Sequence, residues 1–471
     1  MDVLDLARWQ FGITTVYHFF FVPLTIGLSV LVAGLQTVAW RTGAERWDRL
    51  TAFFGKLFLI NFAMGIATGI VQEFQFGMNW SAYSRFVGDI FGAPLAIEGL
   101  LAFFLESTFL GLWIFGKGRL KPGLHLACIW IAALGTVFSA YFILAANSFM
   151  QNPVGYTLNG DKGRAELTDI GAVLTNKVLL VTFPHQIFGC FMVAGAFVAG
   201  VALWQLLRRP ETDADAFGPA VRMGAVVLLV AGLGTIVTGD FQGKVMTEVQ
   251  PMKMAAAEAL YEDSAPAPFS AFTIGTLDGT EPVYQLEVPR LLSFLGTGSF
   301  DGRVRGIDSL QAEYEQTYGP GDYRPVVPVT YWTFRLMITA GGVAMAMGAW
   351  MLWATRRGRV PSLGRPAGRW LLRAAIALPL LPLAANSFGW IFTEMGRQPW
   401  VVFGLMQTSA GVSPSTSVGE VATSLAAFTL LYGTLAVIEV RLLLTYVKKG
   451  LPDHEPPPDP DDVDAPLAYA Y

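Results

Sequence analysis

Apolar runs long enough to cross about 30 Å of hydrocarbon, which takes roughly 20 helical residues, recur along the chain at 13–40, 51–73, 92–116, 123–147, 180–207, 218–238, 328–354, 369–393 and 418–446. This pattern predicts an all-α polytopic membrane protein with about nine transmembrane helices. Between the sixth and seventh runs, residues 239–327 are rich in Gly, Pro, Asp and Glu and read as a loop. Loops of that length are usually functional or disordered. Beyond about residue 450 the apolar pattern stops, and Pro452, Pro456, Pro457, Pro458 and Pro460 stand among acids. That composition predicts a disordered tail. The expected organisation is helices one to six over 1–238, the loop over 239–327, helices seven to nine over 328–449, and the tail over 450–471. The first run is too long for a signal sequence and is preceded by Asp2 and Asp5 rather than basic residues. It reads as a retained helix in a mature chain starting at or near Met1. No internal repeat is visible.

Positive charge in short loops stays cytoplasmic. Arg41, Arg46 and Arg49 follow helix one, Lys117, Arg119 and Lys121 helix three, and Arg208 and Arg209 helix five. Arg356, Arg357, Arg359 and Arg365 follow helix seven, and Lys448 and Lys449 helix nine, whereas the loops after helices two and eight carry only Arg85 and Arg397. The odd-numbered helices are therefore expected to exit into the cytoplasm, with the N-terminus outside, the C-terminus inside and the 239–327 loop on the outer face.

Composition narrows the function. The chain of 471 residues is 53% hydrophobic and only 14% charged, about half the charged share of a soluble domain, and its mean hydropathy is +0.47. A formal net charge of −4 gives no basic field for nucleic acid. Cys128 and Cys190 both lie in apolar stretches, so neither a disulfide framework nor a CxxC site can be built, and no CxxCH for covalent haem exists. Histidine is scarce: His18, His125, His185 and His454. The tail position of His454 removes it as a ligand.

Ionisable groups inside a membrane are costly and mark function by default. Here they are His18, Glu98, Glu106, His125, His185, Arg335 and Glu394. Counted from the helix ends, His18, His185, Glu98, Glu394 and Met337 fall at one depth, near the outer surface. Each has a plainer reading. A single intramembrane histidine is more often a packing hydrogen-bonder than a ligand, and one methionine among fifteen is ordinarily packing. Glu98 and Glu106, about 80° and 12 Å apart on an α-helix, suit a proton path inward and equally suit two packing contacts. His125 lies at the wrong depth and reads as structural or water-facing. The residues alone support a buried, cofactor-bearing outer site with carboxylates leading inward.

The stretch Ala7-Arg8-Trp9-Gln10-Phe11-Gly12-Ile13-Thr14, continuing through Tyr17-His18-Phe19 to Val22-Pro23-Leu24, resembles the opening of subunit I of the cytochrome bd quinol oxidases. So does Gly396-Arg397-Gln398-Pro399-Trp400 after Glu394, as do Asn147 with Met150-Gln151-Asn152-Pro153, and Phe334-Arg335-Leu336-Met337. The resemblance covers all nine helices and leaves the tail and much of the loop unmatched. It implies a low-spin haem b on His185 and Met337 with Arg335 beside it, and a high-spin haem b and a haem d served by His18 and Glu394. It further implies Glu98, Trp390 and Arg397 near these haems, Glu106 and Ser139 on a proton path from the cytoplasm, and Lys253 and Glu258 in a quinol-binding loop of the shorter type. A Lys and Glu five apart would otherwise read as solvated loop residues.

The implied reaction is oxidation of quinol at the outer face and reduction of dioxygen to water. Proton uptake from the cytoplasm then charges the membrane without a pump. Expected partners are a second large membrane subunit, small single-span subunits, quinol, dioxygen and the lipid of a bacterial cytoplasmic (inner) membrane, with no nucleic acid. A haem–copper oxidase needs more histidines than this chain has, and a bis-histidine cytochrome b needs paired histidines on two helices. A proton-coupled secondary transporter is the alternative from another class; it predicts repeats and broken helices.

Overall fold

The computed structural model describes residues 2–453 except 212, 277, 278 and 361; His454 and the rest of the expected tail lie outside the described residues. Among those described, nine helical spans are long and apolar enough to cross a membrane: Val3–Thr42, Glu45–Met78, Ser81–Phe115, Pro122–Gln151, Ile170–Arg208, Ala214–Val249, Val327–Ala354, Pro366–Met395 and Val418–Lys449. The predicted fold class holds, but several spans overshoot the apolar runs. The first begins ten residues earlier than expected, at Val3, its start capped by Asp2 through a 2.8 Å bond from the Asp5 amide. The third begins at Ser81 and the sixth continues to Val249, so 239–249 is helix rather than loop. Hydropathy misses these ends because they carry Asp5, Arg8, Arg85, Asp89, Asp240 and Lys244, and burial against neighbouring elements keeps them helical.

Depth counted from the apolar runs is corrected accordingly. His18 lies about 22 Å along its span from Val3, and Glu98 about 26 Å along its own from Ser81, rather than one or two turns in. Three spans are interrupted at informative places. The first breaks at 19–21 because Pro23 has no N–H to give the Phe19 carbonyl and its ring crowds it. His18 is thereby the last residue of a helical segment. In the third, Glu98–Phe103 form a π-helical turn, a feature frequent at functional sites. That turn absorbs an extra residue, so the ideal 80° between Glu98 and Glu106 does not apply. The eighth breaks at Leu378 and Pro379.

Packing divides the bundle into layers. A slab of fully buried residues, including Leu28, Leu57, Trp113, Leu203, Leu228 and Met351, closes one end. Small residues draw its backbones together: a Cβ added at Gly195 of the fifth span would lie 2.7 Å from the Gly224 carbonyl of the sixth. Such contacts stabilise helix pairs through van der Waals packing where lipid removes the hydrophobic drive. At this same end the basic loops meet, with Arg49 bonded to Asp213 and to the Pro452 carbonyl at 2.8 Å, and Arg209 to the Lys449 carbonyl at 3.1 Å.

The other end is covered by two smaller clusters. One, around Trp80, Phe91, Phe149 and Val402, joins the overshooting helix ends. The second lies in the loop after Val249, which is ordered: a helix Pro251–Glu258, a hairpin of strands Phe269–Gly275 and Pro282–Val288, and helices Leu291–Thr297 and Ile307–Tyr318. Met252, Leu310, Tyr314 and Tyr323 form its core with Trp400. Between the slab and these caps the bundle is hollow.

Candidate functional site

The hollow is a cavity of about 1740 Å³, above the roughly 300–1,000 Å³ of ordinary small-molecule sites. His18, His185, Met337, Glu394, Glu98 and Glu106 all line it, as do Ser139, Trp390 and Arg397. These residues, drawn from six spans, thus converge on one chamber.

The two histidines are held alike. His18 Nδ1 lies 2.8 Å from the Thr68 hydroxyl, and His185 Nδ1 lies 3.2 Å from the Thr238 hydroxyl. Each threonine donates its own proton to a helix carbonyl, Thr68 to Met64 at 3.0 Å and Thr238 to Gly234 at 2.7 Å. Each hydroxyl oxygen must therefore accept from the imidazole, which fixes the proton on Nδ1 and leaves the Nε2 lone pair free. This is how proteins orient a metal-binding histidine. A glycine follows each threonine: a Cβ at Gly69 would meet His18 Cε1 at 3.2 Å, and one at Gly239 would meet His185 Cε1 at 3.3 Å. Thr68-Gly69 and Thr238-Gly239 are two equivalent cradles that the sequence reading did not identify. A Thr-Gly pair stands in each partner helix, but nothing in the sequence ties either pair to its histidine.

Met337 has a cradle too, since a Cβ at Gly389 would lie 2.8 Å from its Sδ. Glu394 is fixed through both oxygens, one accepting from Asn147 Nδ2 at 3.0 Å, the other from Arg397 Nη2. Trp390 stacks on Phe19 with ring centroids 4.6 Å apart. Glu98 Oε1 accepts from Ser139 Oγ at 2.7 Å. Glu106, 8% exposed, makes no side-chain hydrogen bond among the described residues and packs at Gly135, where a Cβ would meet its own Cβ at 3.0 Å. Glu73 and Asp240, two carboxylates absent from the sequence reading, also reach the cavity.

His125 is elsewhere, buried near the opposite end, with Nδ1 2.8 Å from Gln36 Nε2 and Nε2 2.8 Å from the Trp113 carbonyl. Its environment is structural and not water-facing.

Lys253 and Glu258 sit on the short loop helix and are 5% and 3% exposed, so they are not solvated loop residues. They face different partners. Lys253 donates to Gln151 Oε1 at 2.5 Å, and Gly396 leaves room for its stem, a Cβ there lying 2.7 Å from Lys253 Cγ. Burial, reinforced by the Arg397 charge and opposed by Glu394, holds its amine well below the ordinary lysine range. Glu258 accepts from Arg335 Nη2 at 2.7 Å and from the Ser270 amide at 3.1 Å, and it reaches the cavity. Burial outweighs these stabilising bonds and raises its carboxyl to about 7.

The residues fit haem on three counts. Two Nε2 atoms and one thioether present lone pairs to a chamber large enough for several macrocycles. Arg335 Nη1 and Arg397 Nη1 are buried cationic donors without a hydrogen-bond partner, and buried donors are nearly always paired. An anionic group such as a haem propionate would complete both.

The comparisons agree in class. Residues 6–451 match the family described as cytochrome bd terminal oxidase subunit I. The chain is 48% identical to the cytochrome bd ubiquinol oxidase subunit 1 of Bacillus subtilis (strain 168), over 96% of this chain and 94% of that one. It is 36% identical to the cytochrome bd-II ubiquinol oxidase subunit 1 of Escherichia coli (strain K12), over 95% and 97%. The solved bd oxidase from Geobacillus thermodenitrificans superposes with a TM-score of 0.84 at 27% identity, covering 95% of this chain and 99% of that one. With a match across nearly its full length, this chain belongs to the cytochrome bd terminal oxidase subunit I family.

Proposed function

We propose that the chain is the haem-bearing, quinol-oxidising subunit of a terminal oxidase that reduces dioxygen to water in a bacterial cytoplasmic membrane. Family membership supports the quinol oxidase class. The observation that carries the haem reading is the pair of histidines whose Nδ1 protons are tied back by threonine, freeing both Nε2 atoms toward one cavity.

Bound haem supplies the electron transfer and the oxygen reduction. His185 and Met337 would hold the low-spin haem b, a histidine–thioether pair that would suit an electron-transfer haem of raised potential. His18 and Glu394 would hold the iron of a high-spin haem b and a haem d, with Glu98 and Trp390 beside them. Arg335 and Arg397 would neutralise their carboxylates. In the loop, Glu258 takes a proton from quinol while Lys253 orients the head group; Glu258 lines the same cavity as His185 and Met337, whose haem would accept the electrons. Glu106, then Ser139 Oγ, then Glu98 pass protons inward from the basic, cytoplasmic end. With the loop and the N-terminus outside, protons are released on one face and taken up from the other, and the membrane is charged without pumping.

A second large membrane subunit and small single-span subunits complete the oxidase. The proton-coupled transporter accounts for the carboxylates but leaves the two freed imidazoles and the cradled thioether without a role. Met337→Leu keeps the bilayer fit and removes the thioether. The expected result is loss of the low-spin haem b signal from the reduced-minus-oxidised spectrum; an unchanged signal rules out this ligand assignment.

A further inference from the structure

The loop hairpin is inside-out for a structure in water. Its strands pair Phe272 with Leu286, Thr273 with Gln285 and Ile274 with Tyr284. A register shift between Ser270 and Phe272 leaves Ala271 as an extra residue, and such a bulge re-aims side chains, so that both Ser270 and Thr273 face inward. That inner face is polar. The Ser270 hydroxyl meets Thr273 at 2.5 Å and Tyr331 at 2.9 Å, and Gln285 donates to the Ala259 carbonyl at 3.3 Å, while at the strand edge the Ser270 carbonyl accepts from Arg335 Nε at 2.8 Å. The outer face is apolar: Phe272, Ile274, Tyr284 and Leu286 are 39, 49, 56 and 55% exposed. An antiparallel pair with one wet face shows the opposite arrangement, polar out and apolar in.

What covers the apolar face follows from its neighbour. The Phe272 ring lies 5.4 Å from that of Trp332, the sixth residue of the seventh span. Trp332, Leu336 and Val343 are all exposed and lie on one stripe of that helix, the stripe a membrane span turns to lipid. The hairpin face continues this stripe. It brings Phe272 beside Trp332, and aromatic rings of this kind gather at the membrane–water boundary. The two strands contain a single charged residue, Glu287, with the strand parity of inward-facing Gln285 rather than of the apolar face. A two-stranded hairpin has open edges, which exclude it from the hydrocarbon centre but not from the interface, where water reaches them.

We propose that the Phe272–Ile274–Tyr284–Leu286 face of this hairpin is seated in the interfacial layer of the bilayer, against lipid and not against water or another protein chain. The loop is thus a monotopic membrane element as well as a cap on the bundle. One consequence rests on the quinol reading: the strand whose Ser270 backbone bonds Glu258 and Arg335 has lipid on its apolar face, so a lipid-dissolved quinol meets the same strand that fixes Glu258. The placement itself does not depend on that reading.

The test is Ile274→Cys and, separately, Leu286→Cys, each carrying a nitroxide label in the assembled oxidase reconstituted in liposomes. The native Cys128 and Cys190 are buried and stay unlabelled. Relaxation of both labels by dissolved oxygen, several-fold stronger than by a water-soluble nickel chelate, is the expected result, with a label at exposed Asp301 showing the reverse. Preferential relaxation by the nickel chelate at 274 and 286 would place the face in water and overturn the proposal. Protection from both agents would mean a protein covers it, which overturns it equally. If one substitution prevents assembly, the other position reports alone. Depth is read whether or not quinol is oxidised, so failure here is separable from failure of the oxidase reading.

Discussion

At the scale of single residues, the chemistry of the site is set by neighbours as much as by the ligands. Thr238 decides which nitrogen of His185 carries the proton. Thr238→Val keeps the shape and removes the acceptor, so the ring loses both its tautomer and its orientation. Outer-sphere changes of this kind weaken a metal ligand by about 10- to 100-fold. The expected outcome is a shifted, partly lost low-spin haem b band with the high-spin bands retained, restored in Thr238→Ser. Glu258 gives a pH prediction. Its carboxyl, raised by burial to about 7, is about one-tenth ionised at pH 6 and about nine-tenths at pH 8. On the proposed role, in which the ionised form accepts the quinol proton, quinol oxidation measured against pH should rise through about 7. In Glu258→Gln, which keeps a hydrogen bond to Arg335, that rising limb should disappear while oxygen reduction from an artificial one-electron donor persists.

At the scale of elements, two motifs that are 245 residues apart become one surface. Gly396-Arg397-Gln398-Pro399-Trp400 leaves the eighth span, and each of four side-chain positions has a task. Gly396 admits the Lys253 stem, Arg397 fixes Glu394, Gln398 accepts from Thr408 at 2.8 Å, and Trp400 stacks on Tyr323 in the loop core. Gln151 of the fourth span supplies the acceptor for Lys253, and the Met150 carbonyl accepts from the Phe403 amide at 2.9 Å. The motif is therefore a hinge pin between loop, cavity and bundle. Gly396→Ala puts a methyl 2.7 Å from Lys253 Cγ, and overpacking of this kind costs about 1–3 kcal/mol. Displacement of Lys253 should raise the KM for quinol several-fold while leaving the haem spectra unchanged, a separation that steady-state kinetics and spectroscopy on one preparation can check.

At the scale of the whole molecule, a close-packed slab and a two-part cap enclose a chamber, and the only ionisable groups leading from chamber toward slab on the third span are Glu98 and Glu106 among the described residues. A carboxylate buried without a hydrogen-bond partner costs several kcal/mol in a membrane, and Gln would fit the same space. If Glu106 only packs, Glu106→Gln is nearly silent. As a proton relay it cannot be replaced by an amide, so assembly and haem content should stay normal while turnover with oxygen and membrane charging slow together. Normal turnover with normal proton uptake from the slab side would remove Glu106 from the path.

The number of membrane spans, the helical class and the residue types at the site were legible in the sequence because each is a one-dimensional property. A run of apolar residues must be a helix in lipid, and an ionisable group within it stands out whatever surrounds it. His18, His185, Glu98 and Glu394 were visible for that reason. Span ends were not, since the polar turns at Val3, Ser81 and Val249 stay helical through tertiary packing that hydropathy does not register. Nor was the π turn after Glu98, which changes the angular relation of two carboxylates without changing the sequence spacing. The pairing of Arg335 with Glu258, the burial of Lys253 and the two Thr-Gly cradles were decided by the tertiary structure alone. Each joins residues 50 or more positions apart, or hides a loop residue under another element. Spacing along the chain carries no information about such contacts; they exist because folding closes the bundle around a cavity whose walls come from eight different spans.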